Sequence, residues 1–226
     1  MTPEGPTRPT VVLLHGLART AASMRKLESA LQAAGYPTWN GGYPSRQADL
    51  PALAADVIAR VRTEVGLGPV AGVTHSFGGI LARHIGDRLP WTRLVMLAPP
   101  NGGSHVAQRI KGWPIYRWFY GPAGQVVADG TSWPPPPAPT GIIAGTRGAT
   151  LDNPPSWFIK GLGLLPPDEP SDGTVTVSEA RGTPHLDFAT VNSGHTLIMN
   201  HPETLRQVLH FLEHGAFAAP ELKDPA

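Results

Sequence analysis

There is no cysteine among the 226 residues of this chain. That excludes disulfide staples, thiolate metal sites and a cysteine nucleophile, while leaving the compartment open. Charge is also scarce. Asp, Glu, Lys and Arg make up 15% of the residues, and 18 Lys+Arg against 17 Asp+Glu leave a net charge of +1. Without a basic stripe or an acidic tail the chain lacks the electrostatic footprint of a nucleic-acid binder, and no like-charge run marks a disordered arm. No apolar run approaches the roughly 20 residues of a membrane-spanning helix, so no integral membrane segment is expected. Met1 to Thr10 has no apolar h-region, so the expectation is a cytoplasmic protein. With 26 Gly and 26 Pro and so few charges, much of the surface must be Gly, Pro, Ala, Thr and uncharged polar groups. The length suits one α/β domain with a substantial core over residues 1–226.

The order of elements follows from periodicity. Thr10 to Leu14 is a short β-rich run that ends abruptly at His15-Gly16. Ala21 to Ala34 carries a helical stripe of Met24, Leu27 and Leu31, with Gly35 as its stop. Tyr36 to Asn40 reads as a strand. Asp49 to Val65 reads as a helix, capped by Asp49, with Pro51 in its first turn and Leu50, Leu53, Val57 and Val61 on one face. A strand at Val70 to Thr74, a helix from Ile80 and a strand at Arg93 to Leu97 follow. Strands that alternate with helices and are continuously apolar predict a parallel sheet covered on both faces. Right-handed crossovers then place His15, Ser76 and Ala98-Pro99-Pro100 on one rim, at the C-terminal ends of the strands.

Residues 101–139 break this rhythm with Trp113, Tyr116, Trp118, Phe119 and Tyr120, then Trp133 and four prolines. This stretch reads as a partly helical insertion over the rim, ending in a stiff polyproline spacer. Further strands are expected at Gly141 to Ala144 and Pro184 to Val191, a closing helix at Pro202 to His214, and a frayed tail at 216–226.

The chemistry concentrates at T-H-S-F-G, residues 74–78, where a strand meets a helix. A serine wedged there, with glycine two places on, has the form of a nucleophile elbow. The sharp turn lifts the Ser76 hydroxyl above the strand ends, and the helix after it aims N–H groups at the same point. A hydroxyl needs a base, and the base needs an orienting acid. His195, in the glycine-containing loop after the last strand, is the candidate base, with His105 of the insertion as its rival. Asp172, in the D-G turn that would free its carboxylate, is the candidate acid, with Asp152 as the serious rival and Asp187 expected to face away. The backbone N–H groups of Phe77 and Leu17 are the candidate oxyanion donors. His15 and His75 read as structural, His75 pointing back into the protein. Trp113 and Tyr116 are candidates for the wall of a substrate groove.

V-V-L-L-H-G-L, T-H-S-F-G-G, S-D-G-T-V and S-G-H-T resemble the motifs of the α/β-hydrolase superfamily. Together with A-P-P-N-G-G-S at 98–104 they are similar to those of small bacterial lipases and esterases. The resemblance runs from Thr10 to Phe217. It implies a mostly parallel sheet of about six strands with helices on both faces and a short cap insertion. It also implies a Ser-Asp-His serine hydrolase acting on a small-molecule ester, with no metal and no cofactor. One departure stands out: Thr74 occupies the place of the elbow's first glycine.

Overall fold

The structure is a computed structural model, and it describes residues 8–128, 130, 132–148 and 159–219, with the backbone alone at Ile115 and Phe119. Its centre is a six-stranded parallel sheet in the order β2-β1-β3-β4-β5-β6. The strands are β1 (Thr10–Leu14), β2 (Thr38–Trp39), β3 (Val70–His75), β4 (Trp91–Leu97), β5 (Thr140–Gly145) and β6 (Asp187–Val191). β2 and β6 are shorter than their apolar runs, because the first residues of each run lie outside the ladder.

Side-chain alternation splits the core between the two faces. Val11 and Leu13 of β1 pack with Met24, Leu27 and Leu31 beside α1 (Arg25–Ala33), and with Val208 and Phe211 of the closing helix. Val12 and Leu14 point the other way, toward Leu53, Val57 and Val61 of α2 (Leu50–Glu64) and Ile80 and Leu81 of α3 (Phe77–Ile85). Asp49 caps α2 by accepting the Ala52 N–H at 2.9 Å, with proline in the first turn.

The insertion contains α4 (His105–Ile110) and α5 (Pro114–Gly124) and ends in an anchor rather than a spacer. Trp133 is buried, and its carbonyl, with those of Pro134 and Asn101, accepts hydrogen bonds from the buried Arg83 guanidinium of α3. These neutral carbonyls give the buried charge its hydrogen bonds. The insertion has its own apolar cluster, in which Val106, Ile110 and Tyr116 meet Ile159 and Leu164 from a later segment. The cap is therefore assembled from two stretches of chain, only one of which is legible as an insertion.

After β5 come α6 (Val177–Arg181), β6 and the closing helix α7 (Pro202–His214). The buried stripe of α7 is Thr204, Gln207, Val208, Phe211 and Leu212, whereas Leu205 and Leu209 are only partly buried. The beginning of the expected frayed tail is docked: the Phe217 ring lies tilted 5.0 Å from that of Phe211, the Phe217 N–H donates to Asp187 at 2.7 Å, and Ala218 donates to Gln207 at 2.8 Å. Among the described residues no helix is long and apolar enough to cross a membrane.

Candidate active site

The strand order reverses between β1 and β3, so their following loops leave to opposite sides and open a crevice at the C-terminal edge. Gly16 and Leu17 follow β1 there, and Ser76 follows β3. Three non-glycine residues in the described chain have positive φ: Ala18 (57°), Ser76 (52°) and Ala98 (47°). All three lie in loops at this same edge, where backbone strain is held by the surrounding structure.

The elbow depends on close approach. A Cβ at Gly78 would overlap the Leu14 carbonyl oxygen and lie 2.9 Å from that of His15. Only glycine lets α3 rise this near to β1. A Cβ at Gly16 would lie 2.8 Å from His75 Nδ1 and 3.5 Å from Ser76 Cβ, so the loop after β1 can press against the elbow only as glycine. Thr74, in the place of the usual first glycine, is fully buried, and its hydroxyl lies 3.4 Å from where a Cβ on Gly79 would stand.

Ser76 Oγ lies 3.1 Å from His195 Nε2, and His195 Nδ1 lies 2.7 Å from Asp172 Oδ2. A carboxylate only accepts, so Nδ1 carries the proton and Nε2 turns its lone pair to the Ser76 hydroxyl. Asp172 is buried and held rather than free. Its Oδ1 accepts the N–H groups of Thr174 (2.9 Å) and Val175 (2.8 Å), and its carbonyl accepts the His195 N–H at 3.0 Å. The D-G turn works by putting Gly173 in the left-handed region (φ 89°), which curls the next two amides back onto the carboxylate.

His75 does not point away from this arrangement. It lines the cavity above Ser76, its ring is 4.9 Å from that of His195, and its Nε2 donates to the His195 carbonyl at 3.0 Å. Burial holds its pKa well below the usual imidazole range, helped by repulsion from His195 and Arg19. His15 has the structural part expected of it: it stacks on Tyr43 at 4.1 Å, and its carbonyl accepts the Tyr43 hydroxyl. His105 is occupied elsewhere, 2.7 Å from the buried Glu179. Asp187 caps the tail, and Asp152 lies outside the described residues.

A cavity of about 540 Å³ opens over Ser76. Leu17 and Phe77 line it close to the serine, and Phe77 is the first residue of α3, where an N–H has no intrahelical partner. Trp113 and Tyr116 line it as well, in different ways. Trp113 is 41% exposed at the mouth, and Trp118, also in the lining, is 75% exposed. Tyr116 is buried, 4.6 Å from the Tyr120 ring, and donates its hydroxyl to the Gly124 carbonyl at 3.1 Å. Sequence reasoning missed Arg19, Val106, Ile159 and Val175 in this wall. A second cavity, about 650 Å³, lies at the opposite edge between Arg8, Thr10, Thr92 and Arg93, far from the serine in the fold.

The mature form of a Bacillus licheniformis lipase superposes with a TM-score of 0.68 at 18% identity, covering 93% of this chain and 94% of that one. The fold is that of the α/β-hydrolases. Phospholipase PlaB from Legionella pneumophila, in complex with thio-NAD, gives a TM-score of 0.70 at 18% identity over 92% of this chain and 59% of its own. A thermophilic esterase from Thermogutta terrifontis gives 0.57 at 15% identity, covering 92% and 90%. The neighbours are thus lipases, esterases and hydrolases. By sequence, no protein-family description and no curated protein matches.

Proposed function

We propose that this chain hydrolyses carboxylic esters through an acyl-enzyme formed on Ser76. One observation carries the reading: the unbroken line from Ser76 Oγ through both nitrogens of His195 to a buried, doubly anchored Asp172. Ser76 attacks the acyl carbon as His195 Nε2 takes its proton. The N–H groups of Phe77 and Leu17 stabilise the negative oxygen of the tetrahedral intermediate. His195 returns the proton to the departing alcohol, leaving the acyl group on Ser76. Water then attacks the acyl carbon with His195 as base again, and Ser76 leaves reprotonated. Asp172 keeps His195 in the tautomer that faces Ser76. The largely apolar wall, with Trp113 at its mouth, suits an apolar acyl or alcohol group.

Labelling by a fluorophosphonate and a panel of p-nitrophenyl esters from acetate to palmitate test this directly. Wild type should label and turn over esters. Ser76→Ala should stay folded, fail to label and retain only the roughly 10³–10⁴-fold advantage over water that donors and binding provide without a triad. Wild-type protein that neither labels nor hydrolyses any ester would instead point to a binding scaffold. Product esters formed when alcohol competes with water would move the assignment to acyl transfer.

A further inference from the structure

The cavity over Ser76 contains one feature that cleavage of a plain ester does not use. Among the described residues that line it, Arg19 is the single permanently charged side chain. The other ionisable groups among these described residues are His75, Tyr116, Tyr120 and His195. Burial keeps His75 deprotonated and raises the pKa of both tyrosines, so these three remain uncharged near neutral pH. Among the described residues no carboxylate forms an ion pair with Arg19, whereas Arg8 and Arg206 each pair with one carboxylate and Arg60 with two. Nor does its guanidinium hydrogen-bond to a carbonyl, as that of Arg83 does.

Its placement is built into the backbone. Ala18 adopts a left-handed conformation and gives its N–H to the buried Ser45 hydroxyl at 3.1 Å, and the Arg19 N–H closes the turn on the Gly16 carbonyl at 3.2 Å. The turn that presents Leu17 to the serine therefore presents Arg19 to the same cavity. A partly desolvated guanidinium without a counter-ion costs free energy, and burial already lowers its pKa.

From this we propose that Arg19 is the recognition point for an anionic oxygen group, carboxylate or phosphate-like, carried by the ester that Ser76 cleaves. The counter-ion that the described residues do not supply would arrive with the substrate, and the planar five-donor fork of arginine matches either group bidentately. The inference deepens the ester-hydrolase reading and rests on it. It makes the physiological substrate an acidic ester, with its apolar part against the Trp113 wall and its charge at the loop after β1.

The test compares 4-nitrophenyl monosuccinate with its neutral methyl ester, and 4-nitrophenyl 3-phosphonopropanoate with its dimethyl ester. Each pair is assayed with wild type, Arg19→Gln and Arg19→Lys. The readout is the ratio of kcat/KM for the charged over the neutral member. Wild type should favour one charged member by roughly 10- to 100-fold, the range of a charge-assisted hydrogen bond. Whichever pair shows the larger ratio identifies the anion as carboxylate or phosphate-like. Arg19→Gln should bring the ratio close to one, and Arg19→Lys should retain part of it, having the charge without the fork. A wild-type ratio near one in both pairs overturns the proposal. So does a ratio that survives Arg19→Gln, including the case where that variant slows both members equally. If no ester is turned over at all, the hydrolase reading has failed, and calorimetric binding of monomethyl succinate then decides the anion site by itself. Tighter binding to wild type than to Arg19→Gln supports it, and equal binding overturns it.

Discussion

Replacing Asp172 by Asn is the sharpest test of the proposed chemistry, because the structure dictates which way the amide must turn. Asp172 Oδ1 accepts two backbone N–H groups, from Thr174 and Val175. An NH2 group there would face two donors, so the amide oxygen must take the Oδ1 place. Its NH2 is then left against His195 Nδ1, where the carboxylate oxygen stood 2.7 Å away. Nδ1 must now accept, which moves the imidazole proton to Nε2 and aims an N–H at Ser76 in place of a lone pair. The base is lost with every heavy atom still in place. The expected loss in kcat is on the order of 10⁴-fold, or about 5.4 kcal/mol of transition-state stabilisation. Stability should fall much less, by about 1–2 kcal/mol, since three charge-assisted hydrogen bonds become neutral ones without being broken. That loss leaves most of an ordinary domain folded, so unfolding cannot mimic the kinetic effect. The assay is kcat and kcat/KM on p-nitrophenyl butyrate beside thermal unfolding of the same preparation. Asp172→Asn activity within tenfold of wild type, with the fold intact, would refute the reasoning and return the acid role to another carboxylate, Asp152 first.

Three further outcomes follow from the geometry. Gly78→Ala should cost about 1–3 kcal/mol of stability from the collision with the Leu14 carbonyl and roughly 10²-fold in kcat from a displaced elbow; an active, wild-type-like variant would contradict the close approach of α3 to β1. His75 has a folded-state pKa well below its unfolded value near 6.5, so it contributes stability that is full above pH 6.5 and lost as pH falls below it, by up to about 1.4 kcal/mol per pH unit. Chemical denaturation between pH 7.5 and 5 should show this decline, and His75→Gln should make it shallower; an unchanged slope would mean that His75 is not held neutral. Trp113→Ala should alter the preference between short and medium p-nitrophenyl esters with little change in Tm, whereas Tyr116→Phe should lower stability by about 1 kcal/mol through its lost bond to Gly124 and leave that preference alone. The opposite pairing would make Tyr116 the selective wall and Trp113 the pin.

Much of this protein was decided locally. Apolar runs at Thr10–Leu14 and Val70–His75, separated by amphipathic stretches, specify parallel strands under helices, because a strand buried on both faces has no polar alternation to offer. The tight T-H-S-F-G-G turn and the chain order of Ser76, Asp172 and His195 are also readable without coordinates, since each follows the end of a strand and all such ends share one edge. Tertiary structure decided what depends on packing between distant segments. It seated Thr74 opposite Gly79, and it bound the Asp172 carboxylate with amides that a D-G turn only makes available. It turned His75 toward the His195 carbonyl and made Trp133 an anchor for Arg83. It brought Ile159 to a cap that appears in the sequence as residues 101–139 alone. Arg19 is the clearest case. In the sequence it is one arginine among many on a surface loop, and only the fold places it in the wall of a mostly apolar cavity where no carboxylate among the described residues pairs with it. Periodicity records which face of an element is buried, but whether a buried charge meets a counter-ion depends on every segment that folds around it.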